Sequence, residues 1–306
     1  EGPGGPILII AGANPFTTYY KEILLSEGLN LYRMMDISLV TASELATYDV
    51  VILGELSLAP AQATMMTDWV NAGGNLIAMR PHSSLTGLLG MTSQGTSIND
   101  AYFRVNTAVP PGTGIVGSPL QFHGTADRYT LNGATEIATL YSNLTTSLNI
   151  PAMTNRAVGT WGGHAAAFTF DLARSVVYTR QGNPAWSGTE RDGFSPIRAN
   201  DLFFPNFVNL DNVAIPQADE AQRLLANMIQ DMLAAKKPLP HFWYLPNGKK
   251  VVILAASDDH ANGSTPTSFD QLKAASAPGC SVANWECLRA TSWMYTSTSV
   301  SNAQAA

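Results

Sequence analysis

Three short apolar runs, separated by stretches of helical spacing, constrain the fold of this chain more than any other feature. Residues 7–10 read Ile-Leu-Ile-Ile, residues 48–54 read Tyr-Asp-Val-Val-Ile-Leu-Gly, and residues 75–79 read Asn-Leu-Ile-Ala-Met. Each is too short for a buried helix and is apolar at consecutive positions, the pattern of a strand covered on both faces. Residues 16–27 have helical spacing and stop at Gly28. Residues 59–72 do the same, with Pro60 in the first turn and Gly73-Gly74 beyond the end. Residues 30–35 supply another strand candidate. Strand, helix, strand at these lengths predicts βαβ units, and so a mainly parallel α/β sheet with helices on both faces.

The pattern changes downstream. Residues 91–150 are rich in Gly, Thr, Ser and Asn and read as hairpins and loops grafted onto the sheet. Regular order returns at 156–159, 164–170 and 175–178. Residues 181–218 form a long stretch without periodicity, which is usually functional or interfacial. Residues 217–235 are a strong amphipathic helix with Leu224, Leu225, Met228, Ile229 and Met232 on one face. Lys-Lys-Pro-Leu-Pro at 236–240 reads as a linker. Residues 251–256, Val-Val-Ile-Leu-Ala-Ala, then begin a fresh buried strand. The expected division is a domain over 1–237, with its loop-rich insert near 91–150, and the N-terminal part of a second α/β domain over 238–306.

Composition narrows the function classes. The chain carries 17 basic and 23 acidic residues, a formal charge of −6, with no basic stripe of the kind a nucleic-acid binder shows. No apolar run reaches the ~18–20 residues of a membrane span. Charged residues make up only 13% of the chain, so surface polarity falls to Ser, Thr, Asn, Gln and Gly, a balance common in secreted proteins. The two cysteines, Cys280 and Cys287, close a short loop. They read as a disulfide in an oxidising, extracellular setting, the alternative being two buried thiols.

The leading candidate for chemistry is Ser-Asp-Asp-His at 257–260. The C-terminal end of a buried parallel strand is where α/β folds place ligands. Side chains leaving a strand diverge, so one of Asp258 and Asp259 can hold a cation while the other takes a proton from water. His260 is a possible further ligand. The plainer alternative is a solvated turn capping the next helix. His82, His123 and His164 read mainly as structural hydrogen-bonders. Arg174, Arg180, Arg191 and Asp192 could bind an acidic or sugar ligand, or form salt bridges between domains. Trp161, Trp186 and Trp243 could stack on sugar rings or pack in the interior. Asn143-Leu-Thr and Asn262-Gly-Ser match glycosylation sequons.

Leu-Ala-Ala-Ser-Asp-Asp at 254–259 resembles the first motif of the polysaccharide deacetylase-like carbohydrate esterases, a hydrophobic strand closing in Thr-Phe-Asp-Asp. The resemblance implies that Asp258 is the catalytic base and Asp259 a ligand to a divalent cation such as Zn²⁺. Here Ala256-Ser257 replaces Thr-Phe, His260 replaces the following Gly, and residues 261–306 contain no His-x-x-x-His pair. Residues 6–235 resemble the class I glutamine amidotransferase-like, flavodoxin-type fold, especially its trehalose-utilisation-type branch and the middle domain of some β-galactosidases. The stretches 48–78 and 151–168 carry that likeness. Residues 1–279 contain no Cys, which excludes glutamine hydrolysis by a Cys nucleophile, and no Gly-x-Ser-x-Gly is present.

Two functions follow as expectations. One is the N-terminal part of a secreted, metal-dependent deacetylase acting on N-acetylated polysaccharide. The other is a non-catalytic secreted module that binds a glycan or a partner protein.

Overall fold

A computed structural model describes residues 4–234, 239, 253, 255–258, 264–284, 286–294, 298 and 300–302. The chain divides into two compact units, Glu1–Tyr244 and Leu245–Ala306.

The first unit opens with β1 (Ile7–Ala11), α1 (Tyr20–Ser26), β2 (Tyr32–Asp36), α2 (Ala42–Leu45), β3 (Val50–Leu53), α3 (Pro60–Asn71) and β4 (Asn75–Met79). It continues through β5 (Met91–Asn99), β6 (Tyr102–Val105), β7 (Leu120–Gln121), β8 (Thr125–Leu131), β9 (Thr135–Tyr141), β10 (Ser147–Val158) and β11 (Gly163–Phe168). It closes with α4 (Leu172–Gln181) and α5 (Gln217–Leu233). Nine strands form one sheet in the order β2-β1-β3-β4-β11-β10-β9-β6-β7. The stretch from β2 to β11 is parallel throughout.

Alternation along the central strands explains the layers. Ile7, Ile9, Val50, Ile52, Ile77 and Met79 face one core, shared with Tyr20, Ile23 and Leu24 of α1, Val176 of α4 and the apolar stripe of α5. Leu8, Ile10, Val51, Leu53, Leu76 and Ala78 face the other, shared with Leu45 of α2 and Ala63, Met66 and Val70 of α3. Helices cover both faces, the flavodoxin-like arrangement expected, and this is why the strands read as continuous apolar runs. The five predicted stripe residues of α5 are all at most 4% exposed.

The region 91–150 departs from the expectation of a grafted insert. β6, β7 and β9 extend the main sheet, joined through β10 by antiparallel pairing. Only β5 and β8 form a separate two-stranded ladder. Backbone pairing to a sheet edge needs no apolar run, so strands rich in Thr, Ser and Asn are hard to read from composition. Order near 175–178 is the middle of α4, capped by the Asp171 side chain accepting from the Ala173 amide. The long aperiodic stretch is an irregular loop with single 3₁₀ turns at Pro184–Trp186, Ala199–Leu202 and Leu210–Asn212.

In the second unit, β12 (Ala256–Asp258), α6 (Ser264–Ala275) and β13 (Thr291–Trp293) follow in order, and β12 pairs parallel with β13. The expected buried strand over 251–256 is not what the described residues show. Ile253 is 86% exposed and all three residues of β12 are exposed. A ladder of three residues a side buries little, and of α6 only Thr265 is buried. Cys280 and Cys287 are bonded, with Cα atoms 5.3 Å apart. Among the described residues no helix is long and apolar enough to cross a membrane.

Candidate functional site

The chain passes from β1 to β2 on one side and then returns to β3 on the other. The carboxyl ends of β1 and β3 therefore diverge, and a crevice opens between them, the usual ligand position in an open α/β sheet. Here it is a cleft of about 720 Å³ lined by the residues that follow β1, β3 and β4, with Asp127 from β8 and Arg174 from α4. Gly54 at the end of β3 lets the 3₁₀ turn Pro15–Tyr19 sit close, because a Cβ there would collide with Thr17. That contact places Asn14 at the cleft wall.

Arg80 is the centre of the site. It follows β4 directly, and its φ of +40° puts it in the left-handed region, which costs a side-chain-bearing residue energy. Its amide donates to the Phe168 carbonyl at 2.8 Å, fixing the turn against β11. Its guanidinium forks onto Asp127, Nε to Oδ2 at 3.1 Å and Nη2 to Oδ1 at 3.0 Å, and Nη1 donates to Glu55 Oε1 at 2.7 Å. Partial burial pulls the Arg80 pKa down, but the Asp127 and Glu55 carboxylates outweigh it and hold the pKa above its usual value. Glu55 Oε2 accepts from Arg174 Nη2 at 3.3 Å and from Asn14 Nδ2 at 3.2 Å.

A buried relay backs this network. Asn14 Nδ2 also donates to Asp171 Oδ2 at 2.9 Å, and Asp171 Oδ1 accepts from the Tyr20 hydroxyl at 2.8 Å. Burial, then the Asp171 charge, push the Tyr20 hydroxyl well above its ordinary pKa, so it remains a donor. The chain Tyr20–Asp171–Asn14–Glu55–Arg80–Asp127 thus runs from the core to the cleft. Burial that leaves these carboxylates without donors would be costly, and each oxygen has one.

The residues singled out from sequence scatter. His82 lines the cleft, but its Nδ1 is 2.8 Å from Ser84 Oγ at the start of a 3₁₀ turn. His123 is 1% exposed and stacked on Phe207 at 4.1 Å, with Nδ1 3.7 Å from Asp100. The His123 ring and the Gly124 amide hold the Asp100 carboxyl below its usual range. His164 lies on β11, its Nδ1 3.4 Å from Asn155 Oδ1.

Arg174, Arg180, Arg191 and Asp192 do not form one cluster. Arg174 lines the cleft, Arg180 pairs with Asp219 at 2.6 Å, and Arg191 lies 3.8 Å from the Trp186 ring centre. Asp192 pairs with Arg198 at 2.6 Å. These are bridges inside the first unit. Trp186 is covered by Arg191 and so offers no sugar platform, whereas Trp161 is 74% exposed at the β10–β11 turn. Trp243 and Asn262 lie outside the described residues.

Asp258 closes β12 and is exposed, while Asp259 and His260 lie outside the described residues. Among the described residues, the one group of three acids close enough to share a cation is Glu190, Asp192 and Asp201. Those carboxylates accept from the amides of Arg191, Asp192, Gly193, Phe194 and Arg198, which is how the long loop is held. A bound cation normally takes three or more protein donors. No such set around Asp258 is assembled from the described residues.

No family model matches the chain, and no curated protein matches it. Solved structures give partial likenesses of fold. A β-galactosidase from Bacillus circulans sp. alkalophilus is 12% identical with a TM-score of 0.49, over 78% of this chain and 32% of that one. A β-galactosidase from Rahnella sp. R3 is 16% identical with a TM-score of 0.44, over 54% of this chain and 28% of that one. A ThuA-like protein from Bacteroides uniformis is 10% identical with a TM-score of 0.41, over 56% of this chain and 84% of that one. The matched part of this chain spans about a third or less of those two β-galactosidases.

Proposed function

We propose that the first unit is a glycan-binding module whose ligand site is the cleft after β1, β3 and β4, and that it performs no hydrolysis itself. The observation that supports this is Arg80. A strained turn at the end of a central strand is where an α/β fold can present a nucleophile. Here the residue on that turn is a guanidinium locked onto two carboxylates, which has no nucleophilic role but is a rigid hydrogen-bonding surface. Fixed carboxylate, amide and guanidinium groups are matched to the paired hydroxyls of a sugar, and a pre-ordered network loses little entropy on binding. Strain kept at such a position fits a ligand clamp.

Isothermal titration with mono- and oligosaccharides tests this. Arg80→Ala and Asp127→Asn are expected to abolish binding while the far-UV spectrum stays native. Unchanged affinity in both, or turnover of chromogenic glycosides by the chain, refutes the reading.

A second reading concerns the other unit. β12, α6 and β13 form a β–α–β unit with parallel strands, the repeat from which α/β barrels are built, and Asp258 closes its first strand. That supports treating this segment as the start of a polysaccharide deacetylase-like domain, with Asp258 as base and Asp259 as cation ligand. In a chain carrying the complete domain, Asp259→Asn would lose metal and turnover together, while Asp258→Asn would keep the metal and lose turnover. Wild-type rates in both end this reading.

A further inference from the structure

The cleft holds two guanidinium groups, and they are used very differently. Arg80 spends three of its five N–H groups on Asp127 and Glu55. Arg174 makes one hydrogen bond, to Glu55, and at 3.3 Å it is longer than the 2.7 Å bond that Arg80 makes to the same carboxylate. The Arg174 Nε is buried and has no partner among the described residues. The group is nonetheless well oriented, with its Cζ 5.0 Å from the centre of the Phe16 ring. The Nε is closed to solvent, but the side chain is 28% exposed, and the remaining Nη donors of a guanidinium held in place are what an incoming acceptor meets.

The carboxylates of the cleft are already committed mainly to other donors. Both oxygens of Asp127 are taken by Arg80. Those of Glu55 are taken by Arg80, Asn14 and Arg174. Arg174 can also turn away from Glu55 without stranding it, because Arg80 and Asn14 remain on that carboxylate. Arg80 and Arg174 balance Glu55 and Asp127, and the one further charge of the network, Asp171, is buried behind Asn14 and hydrogen-bonded to it and to Tyr20.

We infer that the glycan taken by this cleft is acidic, a sugar ring bearing a carboxylate, and that Arg174 is the residue that reads it. The inference rests on the glycan-binding reading and narrows it. A planar carboxylate matches two parallel guanidinium N–H groups, while the ring hydroxyls meet Asn14, Glu55 and Asp127. Arg174 is then a specificity residue, and the Arg80 network is the platform beside it.

The test is isothermal titration of the 306-residue chain with D-galacturonate and D-glucuronate, against galactose, glucose and glucose 6-phosphate. Each uronate is expected to bind at least tenfold tighter than its neutral parent. Arg174→Gln is expected to erase that ratio, whatever its effect on the neutral sugars, and Arg174→Lys to keep part of it, since the charge remains and the planar fork is lost. Thermal melting checks that both variants fold. If Arg174→Gln does not, the ratio in Arg174→Lys decides, and an unreduced ratio there overturns the inference.

A ratio near one in the wild type, or one that persists in Arg174→Gln, overturns the inference and leaves the glycan-binding reading standing. Tighter binding of the sugar phosphate than of either uronate overturns the carboxylate assignment. Binding of none of these sugars overturns the inference, and absence of binding to oligosaccharides as well removes the glycan-binding reading.

Discussion

Replacing Arg80 with two different small residues separates its backbone from its side chain. Arg80→Ala and Arg80→Gly both delete the hydrogen bonds to Asp127 and Glu55, so they share the loss of the network. They differ at the backbone, where φ is +40°. An L residue in left-handed geometry costs ~1–2 kcal/mol, which glycine escapes. Glycine gives back ~0.4–1 kcal/mol through the greater freedom of its unfolded chain. The glycine variant should therefore be the more stable of the two by about 0.8 kcal/mol, within a span of ~0–1.6 kcal/mol, and this difference contains no term from the ion pairs. Urea unfolding followed by circular dichroism measures it, as a shift in midpoint at constant slope. Both variants should lie below wild type, because Asp127 loses the guanidinium that holds both its oxygens. An alanine variant as stable as the glycine variant, or more so, refutes the claim that Arg80 is held in strain by its surroundings.

Four further outcomes follow from the packing and the charges. Met228→Ala empties a fully buried site on α5 and should cost ~2–5 kcal/mol in chemical denaturation. The Asp201 carboxyl is held below its ordinary 3.8, first by the Arg198 amide, so what it contributes is present above that value and lost as pH falls through its folded pKa. Protection factors at the amides of Arg191, Asp192 and Arg198, taken relative to the intrinsic rate at each pH, should accordingly fall in Asp201→Asn at neutral pH, and in the wild type as pH drops through the folded pKa of Asp201. Non-reducing mass analysis should find no free thiol, and reduction of Cys280–Cys287 should destabilise the second unit by about 2–3 kcal/mol on loop-closure grounds.

The parallel half of the sheet was legible because its strands are buried on both faces. Ile7–Ala11, Val50–Leu53 and Asn75–Met79 are fully buried runs, and such runs leave a mark in composition that needs no partner to interpret. The amphipathic α5 was legible for the related reason that its period is set by one packed face. The antiparallel half was not. β9 and β10 mix buried and part-exposed positions, and β10 pairs with β9 through register shifts, so neither period survives in the sequence.

The site was legible in pieces only. Glu55 and Arg80 each lie just past a recognisable strand end, and that position alone could have marked them. Asp127 sits on β8, inside the region read as an insert, and nothing local ties it to Arg80. Arg174 stands near Arg180, Arg191 and Asp192 in the sequence, but in the fold those residues have other partners.

The join between the two halves of the sheet bears on how the chain assembles. β11 pairs on one side with β10, its immediate neighbour in sequence, and on the other with β4, where His164 lies opposite Asn75. The first pairing closes a short turn, and the second must bring together segments separated by most of the strands of the antiparallel half. Loop-closure entropy places them in that order, so the β10–β11 hairpin is expected early and the β4–β11 seam late. Substitutions along the hairpin should then slow folding, and substitutions confined to the β4 side of the seam should mainly speed unfolding. Arg80, whose amide bonds to Phe168 across that seam, takes up its strained geometry only when the last gap closes. The cleft beside Arg80 is accordingly completed only once the β4–β11 seam has closed.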